Sequence, residues 1–186
     1  MNFRTLLVLG LLLTQLPAMN YAAEATKGPV IENYGPVYEF GDAGFKLDPT
    51  VRYRSVMDVA QSAQEMSELN RYIESAARYL NMHVRDGVPL SNLELAIVLH
   101  GGAGKDALSD AAYRERHGVA NPNTALIGAL HDAGVRIYIC GQTAGFRGFA
   151  AEELNPAVTM ATSAMTVLTR LQVEGWSLLP LSLIHI

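Results

Sequence analysis

Apolar positions along the chain alternate between two spacings, one suited to strands and one to helices. Val51 to Val59 sets Val, Tyr and Met between polar residues and predicts a first strand. Leu69, Tyr72, Ile73, Ala76, Ala77, Leu80 and Val84 then recur every three or four residues. That spacing gives a helix with one buried stripe, capped by Ser67 and stopped by Gly87 at its C′ position. Leu93 to Leu99 is almost continuously apolar, as expected of a strand covered on both faces.

The same alternation continues. A glycine-rich turn, Gly101 to Gly104, leads to a short polar helix over Ser109 to Arg116. In Asn121-Pro122-Asn123, either Asn121 caps a helix with Pro122 at its first position, or Asn123 caps a later start. Leu126, Ile127, Leu130 and Ala133 supply the buried face of that helix, and Gly134 ends it. Val135 to Cys140 is a third strand. A looser segment holding Phe146 and Phe149 follows, then a short strand at Val158 to Ala161. Ser163 caps a helix carrying Met165, Leu168 and Leu171, closed by Gly175, and Trp176 to Leu179 is a last strand. Strands linked by short helical crossovers predict one α/β domain, residues 51–180, with a mainly parallel five-stranded sheet and helices on both faces.

Upstream, the pattern changes character. Arg4, the apolar run Leu6 to Leu13, Pro17 and a small-residue stretch predict a secretory signal over residues 1–25, cleaved after Ala22 or Ala25. The apolar run is shorter than the roughly 20 residues a membrane-spanning helix needs. The expectation is an exported protein, most simply periplasmic, with no membrane attachment once the signal is removed. Residues 26–50, rich in Gly and Pro, read as an N-terminal arm. Leu181 to Ile186 continues no pattern and reads as a tail, disordered or foreign to the natural protein.

Composition narrows the function classes. With 49% hydrophobic and 17% charged residues the chain is globular. Its net charge of −4, or −5 where cleavage after Ala22 removes Arg4 as the one charged residue, argues against a nucleic-acid partner. His83, His117 and His131 lie on helices or helix ends as surface residues, and His185 is in the tail. Nothing has metal-ligand spacing, so no metal or other cofactor is expected. The stretch His100-Gly-Gly-Ala-Gly-Lys-Asp106 fails the phosphate-binding loop pattern, because Leu99 replaces its first Gly and Asp106 its Ser or Thr.

Two residues with useful chemistry fall where parallel sheets place ligands, at the carboxyl ends of strands: His100 after the second and Cys140 ending the third. Backbone amides at Gly101, Gly102 and Gly141 are expected to be open there and to favour negative charge. For Cys140, the chain's one cysteine, such amides would raise the thiolate fraction. The alternative is a small buried hydrophobe finishing a strand. His100 suits acid–base or hydrogen-bonding work, or is satisfied by a backbone carbonyl.

The segment Cys140-Gly-Gln-Thr-Ala-Gly-Phe-Arg147-Gly148 resembles the C-x-x-A/T-A-x-x-R-G stretch around the sulfur-carrying cysteine of DsrE/DsrF-like proteins. Residues 51 to 180 look most like the exported branch of that family. Its hallmarks stand here as Val98-Leu-His100-Gly-Gly-Ala103, Asn121-Pro122-Asn123, Cys140-Gly-Gln142, Ser163-Ala-Met165 and Leu171-Gln172. The resemblance implies flavodoxin-like layering, assembly of the chain with itself as homotrimers or hexamers, and a persulfide on Cys140. It also implies Arg147 and Gln142 beside the sulfur, with Asn121 and Asn123 shaping the site edge; otherwise Arg147 is a solvated loop residue and the asparagines are helix caps. Three functions compete. One is a sulfur transferase or carrier with an unknown donor and acceptor. Another is a non-enzymatic module binding a small anion or metabolite at the His100/Cys140 edge, and the third a thiol redox sensor.

Overall fold

A computed structural model describes residues 24–41 and 43–181. The expected leader, apart from its last two residues, lies outside the described residues, as does the tail beyond Leu181. Five strands form a single sheet: β1 (Tyr53–Val59), β2 (Leu93–Leu99), β3 (Arg136–Cys140), β4 (Val158–Ala161) and β5 (Ser177–Pro180). All neighbours run parallel in the order β4-β3-β2-β1-β5. The helices are α1 (Arg71–Arg85), α2 (Asp110–His117), α3 (Thr124–Asp132), α4 (Gly141–Arg147) and α5 (Ala164–Val173).

The strand order decides which face each helix covers. From β1 to β4 the chain steps steadily toward one edge, so right-handed crossovers stack the connecting helices on one face. The step from β4 to β5 reverses direction, and α5 therefore returns across the other face. The two cores follow this division. Ile73, Leu80, Ile97, Leu99, Leu126, Ile127 and Ile139 sit in the main core, each under 2% exposed. Each such burial contributes roughly 1.5–3 kcal/mol. A smaller core joins Val56, Ala96, Val98, Cys140, Ala164, Leu171 and Trp176 under α5.

Several boundaries differ from expectation. Helix α1 starts at Arg71, with Asn70 as its cap accepting from the Tyr72 amide at 2.9 Å; Ser67 lies in a preceding turn. Asn123 holds the N-cap position of α3 but makes no side-chain cap bond, because its carboxamide is engaged elsewhere. The segment read as loose contains α4, a helix without an apolar stripe whose one buried residue is Ala144. Met165 on α5 and Phe146 on α4 face outward, 75% and 92% exposed. His83 and His117 are half-buried rather than on the surface: His83 Nδ1 bonds the Tyr79 carbonyl at 2.7 Å, and His117 packs edge-on to Tyr113. Leu181, assigned to the tail, is buried in the main core.

The N-terminal arm is strapped to α1. A bridge between Thr26 and Val37 closes it into a loop. Asn81, fully buried, accepts from the amides of Val30 and Ile31 and donates to the carbonyls of Ile31, Tyr34 and Gly35. Gly35 has φ +65°, and a Cβ there would lie 2.2 Å from the Arg78 nitrogen, so only glycine lets the strap approach this closely.

Candidate functional site

Cys140 ends β3 and is the N-cap residue of α4. Pleating turns it toward α5, with Val98 and Ala164 in the smaller core. Gly141 must be glycine here, since a Cβ would lie 2.6 Å from the Ala161 carbonyl oxygen. This contact draws the start of α4 against the end of β4, and so against the start of α5. The sulfur lies where two helix N-termini converge, each with amides that have no partner inside its own helix and the positive end of its dipole. Burial pushes the Cys140 thiol pKa up. The amides of Thr143 and Ala164, the Thr143 hydroxyl and the Gln142 amide together outweigh it and hold the thiol below its ordinary value. The residue is 6% exposed. A groove of 470 Å³ between β3, β4 and α5 opens on the same face and reaches Ala161 and Thr162 beside it.

His100 follows β2, and its Nε2 lies 2.6 Å from Asp58 Oδ1 on β1. Asp58 is absent from the residues expected in the site. It occupies a polar position of an alternating strand, as any solvent-facing Asp would, and only the pairing of β1 with β2 brings it to the histidine. The partner of His100 is therefore a carboxylate, not the backbone carbonyl considered above.

The amides expected to be open at Gly101 and Gly102 are occupied. Gly101 N–H donates to Thr143 Oγ1 at 3.1 Å, and Gly102 N–H to the Ala60 carbonyl at 2.8 Å. They offer nothing to an anion. Thr143 emerges instead as a link between this loop and α4, its methyl group so close to Gly104 that a Cβ there would lie 2.6 Å away.

Asn121 and Asn123 belong to another assembly on the opposite face. Asn121 Nδ2 donates to the carbonyls of Asp106 (3.0 Å) and Leu108 (2.7 Å), and its Oδ1 accepts from the Asn123 amide. Asn123 Oδ1 accepts from the Asn70 amide at 2.8 Å. Asp106, wholly buried, accepts from Ser62, Lys105 and Asn70. Lys105 also bonds the Tyr113 hydroxyl at 3.0 Å, which donates on to the Met66 carbonyl. Burial depresses the Lys105 pKa, but Tyr113 and Asp106 more than offset that and hold it above its ordinary value. These asparagines shape loops and do not edge the sulfur. Arg147 stands at the far end of α4, about 9 Å along the helix from its start, against Gly104. Gln142 stays close: its Nε2 donates to the Thr162 carbonyl at 3.2 Å, fastening α4 to the β4–α5 link.

Among the described residues, no three His, Cys, Asp or Glu gather as a metal site, and no helix is long and apolar enough to cross a membrane.

Residues 54–181 match the model of the DsrE/DsrF-like family. No curated protein matches. Among solved structures, a protein of unknown function from Methanobacterium thermoautotrophicum, MTH1491, is 16% identical with a TM-score of 0.53, over 69% of this chain and 98% of that one. The ychN protein of E. coli is 18% identical with a TM-score of 0.49, over 68% and 98%. The first shares the fold. With the family match spanning all of the sheet but its first residue, and both ends of the Cys140 turn, the chain belongs to the DsrE/DsrF-like family.

Proposed function

We propose that the protein carries sulfane sulfur as a persulfide on Cys140. The observation that supports this most is the position of the sulfur at two convergent helix starts, whose amides and the Thr143 hydroxyl overcome the burial that would otherwise suppress its thiolate. A thiolate is the nucleophile in sulfur exchange, and its rate follows thiolate fraction and access. With thiosulfate as donor, the Cys140 thiolate attacks the sulfane sulfur, the donor's S–S bond breaks, and sulfite leaves with the electron pair. The persulfide forms with no change in overall oxidation level and no cofactor. The leader-like start supports a periplasmic site for this chemistry, and family resemblance supports assembly as a homotrimer or hexamer.

Mass spectrometry after incubation with polysulfide or thiosulfate tests the reading. The expected result is a gain of about 32 Da, one sulfur atom, on the Cys140 peptide, absent in Cys140→Ser. A thiol that alkylates readily but gains no sulfur defeats it.

The 6% exposure of Cys140 favours a second reading, a non-enzymatic module that binds a small anion or metabolite at the His100/Cys140 edge. In that case Cys140→Ser leaves ligand-induced thermal stabilisation intact and His100→Ala weakens it.

A further inference from the structure

We propose that Asp58 is a positioning residue for the chemistry of Cys140, the outer member of a Cys140–His100–Asp58 relay laid across three adjacent strands. The inference rests on the reading of Cys140 as a sulfur carrier. Asp58 lies on β1, His100 follows β2 and Cys140 ends β3, and these strands are consecutive in the sheet. Val56 and Val98 pack with Cys140, so pleating turns Asp58 and His100, each two residues further on, to the same face. Leu99 is in register with Ile139, which sets His100 beside Cys140 at the strand spacing of about 4.8 Å.

The hydrogen bond to Asp58 fixes the ring. A carboxylate only accepts, so Nε2 carries a proton, and in the neutral ring Nδ1 keeps the free lone pair. Among the described residues Nδ1 has no hydrogen-bond partner. Both side chains are partly open, 28% and 36% exposed, and a pair so placed contributes little to stability. Its surroundings leave few other proton carriers. The first turn of α4 reads Gly141-Gln142-Thr143-Ala144, the β4–α5 link Thr162-Ser163, and the β1 exit Ala60-Gln61-Ser62. The face of α5 on the sheet presents Ala164, Val167, Leu168 and Leu171. Tyr138, two residues before Cys140, shares this face, with Arg54, Arg136, Arg170 and Glu174 toward the amino ends of the strands, while Lys105 and Asp106 bond each other on the opposite side.

In the step inferred, the Cys140 S–H proton passes to His100 Nδ1 and the resulting imidazolium is held by Asp58. The sulfur's electron pair forms the new S–S bond as the donor's breaks, and that bond's pair departs with sulfite. On delivery, an acceptor thiolate takes the outer sulfur. Cys140 recovers the electron pair of the cleaved bond, then the proton from His100. No oxidant or reductant enters.

The test is the rate of Cys140 alkylation by iodoacetamide between about pH 5 and 10, with the histidine nitrogen NMR signals of the same samples. Asp58→Asn is expected to move the rise in rate to higher pH and slow alkylation at neutral pH about tenfold. His100→Ala should do the same, the double variant no more than either, and Asp58→Glu should recover much of the rate. The wild type should show one histidine locked with its proton on Nε2, a signature lost in Asp58→Asn. An Asp58→Asn protein with wild-type pH profile and tautomer overturns the relay even if sulfur is taken up. If the profile shifts but thiosulfate and polysulfide add no sulfur, the relay stands and the carrier reading falls. A thiol that resists alkylation until the protein unfolds sinks both.

Discussion

The carboxyl edge of this sheet carries two polar assemblies, one on each face, built on opposite terms. On the face packed with α1 to α4, the Asp106 carboxylate, the Lys105 ammonium and the Asn121 carboxamide are buried, each hydrogen-bonded to two or more partners. On the face crossed by α5 alone, Cys140, His100 and Asp58 make one hydrogen bond between side chains and leave His100 Nδ1 unused. Saturated groups have no capacity left for a ligand, and their removal is costly because partners are stranded away from water. His100 and Asp58, partly open and with bonding capacity to spare, add little stability and keep their chemistry available. Residual bonding capacity, more than proximity to a strand end, separates site from scaffold here.

The sharpest way to break that contrast is Asp106→Ala. It strands the buried Lys105 ammonium and removes the acceptor of Ser62 and Asn70, so a loss of about 3–5 kcal/mol in urea unfolding is expected. The pH profile of Cys140 alkylation in the protein that remains folded should not change. A loss below about 1 kcal/mol would mean that the network is not the scaffold described.

Thr143→Val tests the other side. Stability should fall by only about 1 kcal/mol, as Gly101 N–H loses its acceptor, while alkylation near neutral pH slows by a few-fold. If the alkylation profile stays in place, the hydroxyl does not support the thiolate.

The smallest effect concerns acid. Burial holds His83 and His117 below their ordinary value of 6.5, in His83 against the opposing Tyr79 carbonyl and in His117 with help from Lys105 and Arg116. A depressed histidine binds fewer protons folded than unfolded, so its contribution is complete above 6.5 and is lost as pH falls through the folded value. Cys140 follows the same sign in a higher window, complete only above its ordinary 9.0. Unfolding midpoints should therefore fall on acidification below 6.5, and His83→Gln should flatten that slope. A slope unchanged by the substitution would remove His83 from the account.

Much of the fold was legible from the chain because burial leaves a pattern. Leu93–Leu99 and Val158–Ala161 start and stop where hydrophobicity does. Helix α4 escaped notice because two glycines and one buried alanine carry no periodic stripe; Gly141 is set by a contact with Ala161 that no local pattern records. The start of α1 moved because Asn70 is held by Asn123 and Asp106, far along the chain. In the site, Cys140 and His100 were found by counting to strand ends. Asp58 was missed because a pair across strands depends on topology. Asn121 and Asn123 were misassigned for a related reason: a motif gives residue types in order, and only the fold shows where their carboxamides are used.

The strap over α1 sets a practical limit on how the chain can be shortened. A version trimmed to the matched family segment, beginning at residue 54, would strip Asn81 of five hydrogen bonds at once and uncover apolar surface that Ile31 and Val37 otherwise seal. Its carboxamide would face water or collapse inward, and α1, which lines the main core, would loosen. Thr26, where the bridged loop closes, is the latest start that keeps this clasp whole, so the natural cutting point for recombinant work lies nearly thirty residues ahead of the family boundary.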